Sequence, residues 1–92
     1  MNKPGPVVEI TATGRYVPER ILTNADLERM VDTDDDWIVE RTGIRERRIA
    51  ADDMGAAEMG ARAAREAMRE AEVQPGEVDL IVLSTATPDR WL

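Results

Sequence analysis

The chain has 92 residues, sets 12 Lys and Arg against 19 Asp and Glu for a formal charge of −7, and contains neither cysteine nor histidine. Those numbers exclude a disulfide framework, a thiolate zinc site and any Cys-His or Ser-His-Asp device within it. They also argue against a general nucleic-acid binder, which needs a basic face.

In chain order, residues 1–6 read as a frayed tail, because "MNKPGPVVEI" carries a Pro-Gly-Pro break where a signal sequence would carry an apolar core. No apolar run approaches the ~20 residues that span a bilayer, so the expectation is a cytoplasmic protein with no membrane span. "VVEITATG" from Val7 is β-branched and partly alternating, which predicts a strand, and Gly14 and Pro18 bracket a loop. "TNADLERMV" then opens a helix, with Thr23 as N-cap and Asp26 three residues on as an acidic variant of the capping box.

"TDDDWIVERTG" predicts a two-turn helix with Thr33 as its N-cap. Asp34, Asp35 and Asp36 meet the positive end of the helix dipole, Arg41 falls in the last turn, and Gly43 lies just beyond. "IRERRIAA" reads as a short edge strand or extended arm. The longest helix runs from about Ala56 to Ala71, with Ala56, Gly60, Ala63, Ala64, Ala67 and Ala71 on one face and Met59 and Met68 beside it. "QPGEVD" is a turn. "LIVLSTA" from Leu80 has the continuous apolar pattern of a strand buried on both faces. Such a strand needs layers on both sides, more than this chain supplies. The pattern therefore predicts a piece of a larger α/β structure, without internal repeats.

Chemistry is sparse. A calcium loop has a glycine and a distant glutamate that D-T-D-D-D lacks, and helix capping accounts for the aspartates, so no metal site is expected. "RERR" is either a solvated charged face or a contact for phosphate or an acidic partner. Trp37 has two readings: the anchor of a small core, or a surface on which something flat and anionic stacks. Arg41 one turn later supplies a cation on the same side. The residues alone leave both open.

The ordered set "YVPERILTNADLERMVDTDDDWIVERTGIRERRIA", "MGARAAREAMREA" and "EVDLIVLSTATPD" closely resembles the N-terminal quarter of β-ketoacyl-[acyl-carrier-protein] synthase III. The resemblance implies an α/β chain that forms part of the first half of a thiolase-like five-layer αβαβα fold, incomplete here. Residues 7–92 would be the N-terminal portion of that domain. It implies an acyltransferase that condenses an acyl-CoA primer with malonyl-[acyl-carrier-protein], acting as a homodimer without a cofactor, acyl-CoA being substrate. Carried over by position, Thr33, Trp37 and Arg41 are the CoA-binding residues, with Trp37 and Arg41 sandwiching the adenine ring. Leu92 lies where relatives reach across the dimer to the partner's acyl pocket. The family's catalytic cysteine, histidine and asparagine fall beyond position 92, so no catalytic residue is expected in this chain. A simple acyltransferase of secondary metabolism and a non-catalytic binding module are the alternatives. Relatives carry glycine where this chain has Glu72, which predicts strain at the end of the long helix.

Overall fold

The computed structural model describes residues 5–90. The chain divides into two units, Val17–Gly55 on one hand and Met1–Tyr16 with Ala56–Leu92 on the other.

In the unit Val17–Gly55, strand β1 (Arg20–Thr23) pairs antiparallel with β2 (Glu46–Ile49), Arg20 facing Ile49 and Thr23 facing Glu46. Helices α1 (Asn24–Met30) and α2 (Asp35–Thr42) fill the connection between them. The extended-strand reading of "IRERR" holds, whereas β1 falls partly in a segment whose sequence predicts a loop running into a helix. Four residues, "RILT", are too few to show a period of two. Thr23 ends the strand and caps the helix at once, since its extended backbone serves both. Its hydroxyl accepts from the Asp26 N–H at 3.1 Å, and the Asp26 carboxylate accepts from the Thr23 N–H at 2.9 Å. The capping box is thus formed as the sequence predicts. The Thr23 N–H and then the Thr23 hydroxyl hold the Asp26 carboxyl below its ordinary range, with Arg29 and Arg20 adding to the effect.

The centre of this unit is polar. Ile38 is buried, but the most enclosed side chain is Asn24, at 2% exposure. The Asn24 Nδ2 donates to Asp35 Oδ1 at 2.7 Å and to the Ile44 carbonyl at 2.8 Å, while Oδ1 accepts from Arg47 Nη2 at 2.9 Å. Its backbone N–H donates to the Arg45 carbonyl at 3.1 Å. One carboxamide therefore joins α1 to the start of α2, to the loop after α2 and to β2. Arg47 also reaches the Leu22 carbonyl, and Arg48 the Pro18 carbonyl at 2.9 Å. Two of the arginines in "RERR" are thus structural ties, a use that neither sequence reading assigns them.

Helix α2 is capped by Asp34 and not by Thr33. The Asp34 carboxylate accepts from the Trp37 N–H at 2.7 Å, and its backbone is extended, at φ −142° and ψ 160°. Both residue types cap well, and here the charged one takes the role. The far end closes as the sequence predicts: Gly43 sits at φ 72°, where a side chain would be strained, and donates to the Val39 carbonyl at 2.8 Å.

In the other unit, α3 spans Ala56–Ala71, the range its periodicity predicts. Ala64 is exposed, while the other residues of the small face, with Met59 and Met68, are half-buried. Gly14 lies against this face. A Cβ there would stand 2.2 Å from the Ala63 carbonyl oxygen and 2.6 Å from the Ala67 nitrogen. Asp89, far along the chain, supplies the helix start, accepting from the Ala56 N–H at 2.7 Å and from the Ala57 N–H. On the exposed side Arg62 pairs with Glu58 at 3.0 Å and lies over the Tyr16 ring at 5.0 Å. A short 3-10 turn at Pro75–Glu77 occupies the predicted turn.

At its C-terminus α3 ends in a Schellman arrangement, with Val73 N–H donating to the Met68 carbonyl at 2.9 Å and Glu72 N–H to the Arg69 carbonyl. This places Glu72 at φ 58°, the left-handed strain expected of a side chain at that position. Glu72→Gly should relieve it and raise the unfolding free energy of the full-length protein by about 1 kcal/mol, after the entropy cost of glycine is subtracted. An unchanged urea midpoint would show that the Glu72 side chain compensates for its backbone.

Two predicted strands do not form. The segments from Val7 and from Leu80 belong to no ladder, and Val8 (89% exposed) and Leu80 (79%) stand open to solvent. A strand is a pairing, and among the described residues neither segment has a hydrogen-bonded neighbour.

Candidate functional site

The capping of α2 decides which side chains point outward. Because Asp34 takes the Trp37 N–H, the Thr33 side chain makes no hydrogen bond among the described residues, and it lines a cleft of about 220 Å³ with Asp32, Asp34 and Trp37. Ile38 takes the buried position beside it, leaving the Trp37 indole 53% exposed. Trp37 is therefore not the core anchor of this unit. Its exposure is a cost unless something covers it, since a large aromatic carries much apolar surface.

Arg41 lies over the Trp37 ring, its Cζ 5.4 Å from the centroid. At that distance the guanidinium is within cation–π range of the indole.

The cleft is acidic. Asp32 and Asp34 are acceptors, suited to the N–H donors of a base and hostile to phosphate, and Arg41 is the cation of α2 that a phosphate could reach. The sequence-expected residues Thr33, Trp37 and Arg41 are thus brought together on one short helix and its entry. Asp32 and Asp34 join them as lining residues that sequence reasoning assigned to capping or passed over. Leu92 lies outside the described residues. No group of three or more acidic side chains is placed to hold a metal ion among the described residues, nor is any helix there long and apolar enough to cross a membrane.

No family model matches the chain. Curated proteins do. It is 61% identical over 82 residues to the β-ketoacyl-[acyl-carrier-protein] synthase III of Symbiobacterium thermophilum, covering 89% of this chain and 25% of that protein. It is 54% identical over 81 residues to the same enzyme of Geobacillus kaustophilus, covering 88% and 26%. Among solved structures, the 3-oxoacyl-[acyl-carrier-protein] synthase III of Aquifex aeolicus VF5 superposes with a TM-score of 0.83 at 52% identity, over 90% of this chain and 27% of that one. Over about nine tenths of its length the chain is similar to the β-ketoacyl-[acyl-carrier-protein] synthase III proteins. It spans about a quarter of the length of these synthase III relatives. Its elements are part of the thiolase-like α/β fold of the synthases, which is incomplete in this chain. The priming β-ketosynthase of the R1128 polyketide biosynthetic pathway is also similar, with a TM-score of 0.74 at 35% identity over 92% of this chain and 29% of that one.

Proposed function

We propose that this chain is the part of a β-ketoacyl synthase that holds the adenine end of an acyl-CoA primer, in an enzyme condensing that primer with malonyl-[acyl-carrier-protein] to begin fatty-acid synthesis. The observation that carries the reading is the half-exposed Trp37, backed by Arg41 and flanked by a Thr33 hydroxyl with no duty in capping. The base stacks on the indole face that Arg41 leaves open, or after the guanidinium swings aside. Thr33 and the neighbouring carboxylates accept from its N–H groups, and Arg41 turns toward phosphate. The chain has no cysteine or histidine. The nucleophile that takes the acyl group, and the groups that assist decarboxylation, come from the rest of the enzyme. The acyl-CoA is consumed as a substrate, and a homodimer in the cytoplasm is the assembly this reading entails.

The test is CoA binding by the full-length protein. Trp37→Ala should weaken it by ~1–3 kcal/mol, the scale of base–aromatic stacking. An unchanged affinity sinks the site.

The likeness to a priming β-ketosynthase of a polyketide pathway favours a second reading, in which the parent condenses a primer that starts a polyketide and not a fatty acid. Identity is lower there, 35% against 61% for a synthase III. Which acyl-CoA primers and which carrier protein the full-length protein accepts separates the two.

A further inference from the structure

The Trp37 platform stands on a helix of only eight residues, too short to hold itself in water. Something must fix its first turn, where the helix leaves N–H groups without partners inside it. Asp34 takes the Trp37 N–H from within the same segment. The other contacts come from α1. Glu28 Oε1 accepts from the Asp35 N–H at 2.8 Å, and Asn24 Nδ2 donates to Asp35 Oδ1 at 2.7 Å. One helix thus grips the backbone and the side chain of the same residue, two positions before the indole.

We infer that Glu28 and Asn24 are positioning residues for acyl-CoA, acting through Asp35 to set where Trp37 presents its ring. This rests on the adenine-site reading above. Asn24 also holds Ile44 and Arg47, so its loss disturbs the whole unit. Glu28 is exposed and its only side-chain hydrogen bond among the described residues is the one to Asp35, which makes it the cleaner probe. The contact is a neutral donor meeting an acceptor oxygen, so an amide can replace the carboxylate there and an alanine cannot.

The experiment is a double-mutant cycle in the full-length protein, read as CoA dissociation constants with kcat and the KM for acyl-CoA alongside. Glu28→Ala should weaken CoA about three- to tenfold, the worth of one such hydrogen bond, with kcat little changed. Glu28→Gln should recover most of the loss. In a Trp37→Ala background Glu28→Ala should have no further effect, because the group it positions is gone. A general loss of stability would instead add fully to that of Trp37→Ala, and that additivity would overturn the inference while leaving the adenine site standing. So would a Glu28→Ala variant that binds CoA like the parent. If Trp37→Ala itself changes nothing, the adenine-site reading falls and this one with it.

Discussion

Gly14→Ala should destabilise the full-length protein by roughly 3 kcal/mol or more, at the upper end of what overpacking costs. The added methyl would stand 2.2 Å from the Ala63 oxygen and 2.6 Å from the Ala67 nitrogen, both of them helix backbone. A flexible side chain could move aside, but a hydrogen-bonded helix cannot without losing its ladder. The segment bearing Gly14 must lift off α3, and with it the contact that the alanine face exists to allow. Gly76→Ala is the matched control, since a Cβ there meets nothing within 4 Å. Chemical denaturation should show the first variant shifted and the second not. Equal midpoints would mean that Gly14 does not lie on α3 in the folded full-length protein.

Replacing Asn24 should be as costly for a different reason. Asn24→Ala removes two donated bonds and one accepted bond, and it leaves the Ile44 carbonyl, Asp35 Oδ1 and Arg47 Nη2 without the partner each has now. Unpaired groups of this kind cost ~1–3 kcal/mol each, so about 2–4 kcal/mol in total is expected after water and relaxation recover some. Asn24→Asp separates charge from shape. Its carboxylate keeps the bond to Arg47 but meets Asp35 Oδ1 and the Ile44 carbonyl as one acceptor against two others. The loss at neutral pH should therefore rival that of alanine and shrink as the pH falls and the new carboxyl takes a proton. A penalty independent of pH would show that Asp35 turns away.

Much of this was open to sequence reasoning wherever a signal is local. The bounds of α3 follow from its spacing, and the capping box at Thr23 from two residues three apart. The far end of α2 follows from Arg41 and Gly43. Its near end does not, because Thr33 and Asp34 are both good caps and only the backbone shows which one turns inward. Asn24 carries no signal, since at a helix start it resembles any other polar residue and its partners lie up to 23 residues away. The apolar runs at Val7 and Leu80 have the composition of strands, but pairing is a property of neighbours and not of composition. For the site, the resemblance pointed to Thr33, Trp37 and Arg41, whereas the acidic lining and the cation–π distance between Arg41 and Trp37 required coordinates.

Asp89 has a consequence for how the protein is made. It supplies the start of α3 from 33 residues downstream of Ala56. A ribosome delivers about 5–20 residues per second, so the helix emerges seconds before its stopper does. During that interval its first turn frays, and its ordering waits on the chain that follows.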